Sequence, residues 1–127
     1  MSKTKIYTDV LTLDIIALRL GNHLQEHKYE VAYCADEEPI TWCFIQTRRL
    51  GHLKSINEKC INITIQGTRD ECKITIGSGK WGENIVNSSN QPTLIPFDGI
   101  FATDKRSVAP IITERHIWKY LDKNVII

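Results

Sequence analysis

The spacing of apolar residues predicts a helix near each end of the chain. Between residues 9 and 27 these residues recur at helical intervals and form one stripe of Leu13, Ile16, Ala17, Leu20 and Leu24. The stripe predicts a first amphipathic helix with Asp9 or Thr12 as its N-cap. The same kind of pattern predicts a last helix over 113–123 with Thr113 as its cap. Its apolar face contains Ile117, Tyr120 and Leu121.

Between the two helices, four segments alternate apolar and polar residues with the period of two that is typical of β-strands. These segments are 29–35, 40–47, 59–66 and 71–77. Turn-forming residues at 36–39 and 67–70 separate neighbouring segments, which predicts antiparallel hairpins. The four strands are therefore expected to form an antiparallel meander.

Burial predicts the register of the last two strands. Pairing residue 65 with 72, 63 with 74 and 61 with 76 places six apolar side chains on one face. A shift by one residue would set isoleucines against Asn62 and Thr64, so we expect the first register and a four-residue loop.

The chain after the predicted meander has little periodicity. Residues 77–82 form the run Gly-Ser-Gly-Lys-Trp-Gly, which predicts a glycine-rich turn, and 83–110 read as an irregular segment. The apolar residues of that segment either close the core or form a surface for a protein partner. The sequence thus predicts one α+β domain over 1–127, with an N-terminal helix, a four-stranded antiparallel meander, an irregular segment and a C-terminal helix.

Composition narrows the class of protein. The chain has 127 residues, of which 42% are hydrophobic and 24% charged, as is typical of a globular domain rather than a disordered one. The net charge is only +1, which disfavours a dedicated nucleic-acid or membrane-surface binder. No run approaches the ~20 apolar residues of a membrane span, and no signal-peptide core precedes residue 20. We therefore expect a soluble cytoplasmic protein.

Cysteine and histidine spacings do not match known metal motifs. Cys34, Cys43, Cys60 and Cys72 contain no Cys-x-x-Cys pair and lie in strand-like segments, so reduced packing cysteines are expected. His23 and His27 share a helix face, but they lack the glutamate position of His-Glu-x-x-His. A solvated helix end is the favoured interpretation, and no metal or cofactor is predicted.

Catalytic patterns are equally sparse. The Gly-x-Gly-x-x-Gly match at residues 77–82 follows an antiparallel strand rather than opening a βαβ unit. The chain contains no Gly-x-Ser-x-Gly and no carboxylate pair that the spacing identifies. The favoured interpretation is a non-catalytic protein, with an enzyme of unrecognised type as an alternative.

A group of basic residues offers a different candidate site. Arg48, Arg49, His52 and Lys54 cluster around one predicted connection between strands. Lys80 and Trp81 could extend this patch, because guanidinium groups bind phosphates and indole rings stack on bases. These six residues are the candidates for binding nucleic acid or a phosphorylated ligand. An ordinary solvated loop is the competing interpretation, and the low net charge favours it.

The run Ile-Thr-Ile-Gly-Ser-Gly-Lys-Trp-Gly-Glu at residues 74–83 resembles a group of small uncharacterised bacterial domains. In those domains a helix and a strand meander end in a similar strand followed by Gly-x-Gly-x-Trp-Gly. The resemblance covers residues 9–85 and implies a bacterial or phage origin and an α+β fold. It implies no activity and no catalytic residue, and this chain continues into a polar loop where those domains have an apolar segment.

Together these observations favour a non-catalytic binding or adaptor domain that acts on a protein partner. An immunity protein or an inhibitor of bacterial or phage origin would be one form of it. Self-association is also expected, because an open antiparallel sheet has two edges that can pair. Nucleic-acid or phosphorylated-ligand binding is the alternative, and no membrane association is predicted.

Overall fold

The structure is a computed structural model that describes residues 3–27, 29–36, 40–49, 59–81, 95–96 and 113–125. Its elements in chain order are β1 (Lys3–Thr8), α1 (Leu13–Glu26), β2 (Tyr29–Ala35), β3 (Trp42–Arg49), β4 (Lys59–Gly67), β5 (Glu71–Lys80), β6 (Ile95–Pro96) and α2 (Glu114–Asn124). The fold is therefore α+β. Within the described residues, neither helix has the length and apolar character needed to cross a membrane.

The strands form one antiparallel sheet in the order β1-β5-β4-β3-β2, and the two-residue β6 adds to the outer edge of β2. The predicted meander is present, but the sheet has five main strands instead of four. The sequence analysis missed β1, which has one buried side chain, Tyr7, and pairs only with β5 among the described strands. An edge strand with so little burial lacks a clear alternating pattern. Apart from β6, residues 83–110 lie outside the described part of the chain.

Both helices pack on the same face of the sheet. The contact residues are apolar at alternate strand positions and at helical spacing, which is the arrangement expected of a two-layer domain. The core includes Leu13, Ile16, Leu20 and Leu24 of α1, Ile45, Ile63, Ile65, Ile74 and Ile76 of the sheet, and Ile117 and Leu121 of α2.

The helix ends follow from local capping. α1 begins after Thr12 rather than at residue 9, and no side-chain cap bond forms there. Asp9 has φ 53°, so it lies in the left-handed region and turns the chain between β1 and α1. In α2 the predicted cap is confirmed, because the Thr113 hydroxyl accepts a hydrogen bond from the backbone N–H of His116 at 3.2 Å.

The two helices run antiparallel to each other. The Tyr120 hydroxyl donates to the carbonyl of Arg19 at 3.1 Å, and the Arg19 guanidinium donates to the carbonyl of Asn124 at 3.2 Å. These contacts place the last turn of α2 beside the middle of α1. The first turn of α2 consequently lies beside the last turn of α1.

The β4–β5 register differs from the predicted one. Residue 63 pairs with 76 and residue 65 with 74, so the strands are shifted by two residues relative to the expectation. Gly67 pairs with Cys72, and the backbone N–H of Thr68 donates to the carbonyl of Glu71 at 2.9 Å, so the chain turns at residues 69–70 rather than over the predicted loop 67–70. The φ of 119° at Gly67 is a backbone conformation that glycine adopts readily. A shift of two keeps every isoleucine on the same face, so the burial criterion could not distinguish the two registers.

The β2–β3 hairpin also begins its second strand two residues later than predicted. The Asp36 carboxylate accepts hydrogen bonds from the backbone N–H groups of Thr41 and Trp42, at 3.0 and 3.1 Å, and from the Thr41 hydroxyl at 2.6 Å. These bonds hold residue 41 in the turn, so β3 starts at Trp42. Part of the predicted turn, residues 37–39, lies outside the described residues.

The predicted glycine-rich turn at 77–82 is wrong for residues 77–80, which continue β5. On the sheet face away from the helices, Asn62 of β4 lies over Gly79, where the lack of a side chain makes room for the amide. The amide of buried Gln46 donates to Asn62 Oδ1 at 3.0 Å and to the carbonyl of Lys80 at 2.9 Å. The glycine therefore serves strand packing rather than a phosphate-binding loop.

Candidate functional site

Three histidines come together where the two helices meet. His23 and His27 lie one turn apart at the C-terminal end of α1, and His116 lies in the first turn of α2. One ring nitrogen from each lies within 4.8 Å of the others. The antiparallel helix pairing produces this histidine cluster.

Hydrogen bonds and ring contacts orient the histidine cluster. Nε2 of His23 lies 2.9 Å from Nε2 of His116, so one ring donates a hydrogen bond to the other. Nδ1 of His27 lies 2.8 Å from the backbone carbonyl oxygen of His23 and donates to it. The ring of His23 also stacks on Tyr120, with 4.0 Å between the ring centroids. The three side chains are thus packed and half-buried instead of forming a solvated helix end.

Burial lowers the pKa of two members of the cluster, His23 and His116. It lowers the pKa of His23 to about 4, with a smaller contribution from the neighbouring rings of His27 and His116. Burial also lowers the pKa of His116, and the charges of His27 and Lys119 act in the same direction. Neutral imidazoles carry the nitrogen lone pairs that bind transition metals. Hence, in the part of the chain that the structure describes, the histidine cluster is the set of residues with the clearest capacity to hold a metal ion.

A second feature is a cleft of about 470 Å³ between β1 and α2. Its cationic lining residues are Lys3, Lys5, Arg115 and Lys119, and its acidic lining residues are Glu114 and Asp122. Trp118 also lines it and is only 5% exposed. We refer to these seven residues as the basic cleft.

Part of the charge in the basic cleft is already neutralised. Asp122 accepts hydrogen bonds from the Tyr7 hydroxyl at 2.6 Å and from the Lys5 ammonium at 3.3 Å. The Tyr7 hydrogen bond is the main reason that the pKa of Asp122 is lowered. The Lys5 ammonium also lies 5.0 Å from the centroid of the Trp118 ring. Within the described residues, no ion pair engages Lys3, Arg115 or Lys119.

The predicted basic patch is only partly assembled. Arg48 lies 4.3 Å from the centroid of the Trp81 ring, so the structure brings these two candidates together. However, the Arg48 guanidinium also donates to the Glu30 carboxylate at 3.0 Å. Arg49 belongs to the opposite sheet face because adjacent strand residues alternate. Lys80 is exposed at the end of β5.

His52 and Lys54, the remaining members of that patch, lie outside the described residues. The two that meet, Arg48 and Trp81, contact each other, and the guanidinium covers one face of the ring on which a base could otherwise stack. The arrangement favours a structural contact over a nucleic-acid interface.

The cysteines are free and buried, which confirms the prediction that they serve packing. Burial raises the pKa of Cys34, Cys60 and Cys72 to about 11 each, and it raises that of Cys43 further. A thiol that stays protonated at neutral pH is a poor nucleophile. None of the four is therefore a candidate for covalent catalysis.

Sequence reasoning found two members of the histidine cluster and missed the third. The spacing of His23 and His27 was visible, but His116 joins them from a different helix and no local pattern marks it. The basic cleft was missed for the same reason, since β1 was not predicted and α2 lies more than a hundred residues later.

Comparisons of this chain with protein-family models, with curated proteins and with solved structures found no match. The resemblance of residues 74–83 to small bacterial domains stays a prediction. The function therefore has to be inferred from the chemistry of the two sites.

Proposed function

We propose that this chain is a non-catalytic binding domain that recognises an acidic segment of a protein partner in the basic cleft. The observation that carries the proposal is the charge of that cleft, where Lys3, Arg115 and Lys119 have no ion-pair partner among the described residues. A carboxylate-rich segment would supply the missing charges. Arginine binds carboxylates with two parallel hydrogen bonds, which adds geometric specificity.

The walls of the basic cleft suit an extended segment. β1 lies at one edge of the sheet, and α2 stands beside it. The methylene stems of the lysine and arginine side chains provide apolar surface between the charges. Asp122 holds Lys5 in place, and Lys5 lies over the Trp118 ring, so this part of the cleft is ordered before a partner binds.

A protein partner fits the basic cleft better than nucleic acid does. Glu114 and Asp122 would repel a phosphate backbone, whose charges have fixed positions, whereas the flexible glutamate side chains of a peptide can turn towards the cations of the cleft. Trp118 is 5% exposed and covered by Lys5, so its ring does not offer a stacking surface for bases. The net charge of +1 also provides little long-range attraction to a polyanion.

The proposed role is binding without catalysis. None of the four cysteines lines the basic cleft, and all four are buried. The cleft offers charge and shape, which are the requirements of recognition.

The test is binding of a fluorescein-labelled hexaglutamate peptide and of a labelled single-stranded oligonucleotide, measured by fluorescence anisotropy at 50 and 200 mM salt. Two variants with the same change in net charge are compared with the wild type. One replaces Arg115 and Lys119 with alanine, and the other replaces Arg49 and Lys80. We expect hexaglutamate to bind the wild type and the second variant, and to bind the first variant at least tenfold more weakly.

Two outcomes would overturn the proposal. The first is that hexaglutamate does not bind the wild type at low salt. The second is that the Arg49/Lys80 variant loses binding as strongly as the Arg115/Lys119 variant does. Binding of the oligonucleotide with preference over the peptide, and its loss in the Arg49/Lys80 variant, would instead support the nucleic-acid alternative.

A further inference from the structure

We propose that His23, His27 and His116 form a binding site for one divalent transition-metal ion, of which Zn²⁺ is the best match, at the junction of α1 and α2. The site is separate from the basic cleft and needs no partner protein. Its ligands would be Nε2 of each imidazole, with water at the fourth position, as in zinc sites with three protein ligands.

The distances between the ring nitrogens are close to those of a metal site. Zinc–nitrogen bonds of 2.0–2.1 Å in a tetrahedral arrangement place ligand nitrogens about 3.3 Å apart. The two Nε2 atoms of His23 and His116 are 2.9 Å apart, and one ring nitrogen of each of the three histidines lies within 4.8 Å of the others. Rotations about the side-chain bonds, with shifts on the order of 1 Å at the ring nitrogens, would reach the tetrahedral arrangement. The helices need not move.

The orientation of His27 matches that of a metal-bound histidine. Its Nδ1 donates to the backbone carbonyl of His23, so Nε2 carries the free lone pair. Histidine ligands usually donate their second ring N–H to a carbonyl or a carboxylate, which sets the tautomer and orients the ring. Stacking on Tyr120 likewise restricts the orientation of the His23 ring. Two of the three ligands are therefore oriented before any metal binds.

The ligand type indicates which metals the site would accept. Three imidazole nitrogens without carboxylates suit Zn²⁺, Cu²⁺, Ni²⁺ and Co²⁺, whereas Ca²⁺ and Mg²⁺ require oxygen ligands. The local charges partly offset one another. The C-terminal end of α1 is the negative end of its dipole and favours a cation, while Lys119 lies near His116 and opposes one.

The proposal predicts how the bound ion would act on the fold. His23 and His27 belong to α1 and His116 belongs to α2, so one ion would link the two helices. An ion that binds only the folded state stabilises it by mass action. Metal should therefore raise the melting temperature of the metal-free protein.

The experiment uses the full chain, freed of metal by dialysis against a chelator and then titrated with Zn²⁺ by calorimetry and with Co²⁺ by visible absorption. We expect one ion per chain and the intense Co²⁺ bands of a four-coordinate site. His27→Ala and His116→Ala should each lower the metal affinity by at least about tenfold. Removing a residue that only hydrogen-bonds to a metal ligand already lowers the affinity by about that much. His52→Ala, at the chain's remaining histidine, is the matched control and should leave the affinity unchanged.

A measurement on the wild-type protein tests the proposal even if the histidine variants misfold. X-ray absorption of the zinc-loaded protein should show imidazole scattering and zinc–nitrogen distances of about 2.0–2.1 Å. The proposal is overturned if the wild type binds no ion, if zinc is ligated by sulfur or by oxygen alone, or if folded His27→Ala and His116→Ala proteins keep the wild-type affinity. Loss of binding in folded His52→Ala protein would overturn it as well.

Discussion

The contact between Gly79 and Asn62 allows one stability prediction to be worked through in detail. Gly79 has ordinary strand geometry, so alanine would not strain its backbone. A Cβ atom at this position would nevertheless overlap the Asn62 amide, with 2.7 Å to its Cγ and 2.9 Å to its Oδ1. The Gly79→Ala substitution must therefore push the amide away, and with it the hydrogen bond from Gln46 at 3.0 Å.

The size of the effect follows from two contributions. Overpacking a filled site costs about 1–3 kcal/mol. Displacing the buried Asn62 amide, which is 5% exposed, from its Gln46 donor costs about 1–3 kcal/mol more. Replacing glycine with alanine also restricts the unfolded chain, which offsets about 0.4–1 kcal/mol. We expect Gly79→Ala to lower the free energy of unfolding by about 2–5 kcal/mol.

A double-mutant cycle isolates the contact. In an Asn62→Ala background the amide is gone, and Gln46 keeps its hydrogen bond to the carbonyl of Lys80. Adding Gly79→Ala to that background should cost less than about 1 kcal/mol, which gives a coupling of at least about 1 kcal/mol. Urea unfolding followed by circular dichroism measures all four proteins. Ser78→Ala, at the exposed neighbouring position, is the control and should change stability by less than about 0.5 kcal/mol.

The reasoning would be refuted if Gly79→Ala cost the same in both backgrounds. That result would mean that the cost comes from the backbone or from another neighbour. It would also remove the explanation given for the glycine at this point of β5.

Three further substitutions test other contacts. Tyr7→Phe removes the hydroxyl that donates to Asp122 at 2.6 Å and should lower the free energy of unfolding at pH 7 by about 1 kcal/mol. That hydrogen bond holds the pKa of Asp122 below 3.8 in the folded state, so its stabilisation is present above this pH and is lost as the pH falls through the folded pKa. Urea unfolding should thus show a smaller difference between wild type and variant at pH 3 than at pH 7, and an equal difference would contradict the assignment. Thr113→Ala removes the side-chain cap of α2 and should cost about 1 kcal/mol, while Thr113→Ser should stay near the wild type in the same assay. In Gly67→Ala, the alanine would have to adopt a φ of 119°, and its Cβ would clash with the carbonyl oxygen of Glu71. The substitution should therefore lower the free energy of unfolding by more than about 1 kcal/mol, and an unchanged melting temperature would count against that conformation.

Local patterns in the sequence predicted the type of most elements. The apolar stripe of α1 predicts which face is buried, and Leu13, Ile16, Leu20 and Leu24 are all in the core. The strand 29–35 has the same bounds in the structure, and the cap of α2 at Thr113 is the predicted one. These features depend on residues a few positions apart, so the sequence contains the information that they need.

The errors in the β4–β5 register and in the start of β3 have a physical origin. Burial of alternate residues determines which face a strand presents, but it allows any shift by an even number of residues. The turn geometry at Gly67 decides between those shifts, and the Asp36 hydrogen bonds decide where β3 begins. Both depend on backbone conformations that composition alone does not indicate.

By itself, then, the sequence of this protein determined an α+β class, the order of two helices around a meander, the buried faces and the packing role of the cysteines. Only the tertiary structure decided the fifth strand, the pairing of β4 with β5, the basic cleft and the meeting of His116 with His23 and His27. The reason is that periodicity depends on how a single segment packs against the core, whereas a site depends on which segments, distant in the sequence, contact one another. The antiparallel packing of α1 against α2 and the placement of β1 at the sheet edge created both candidate sites.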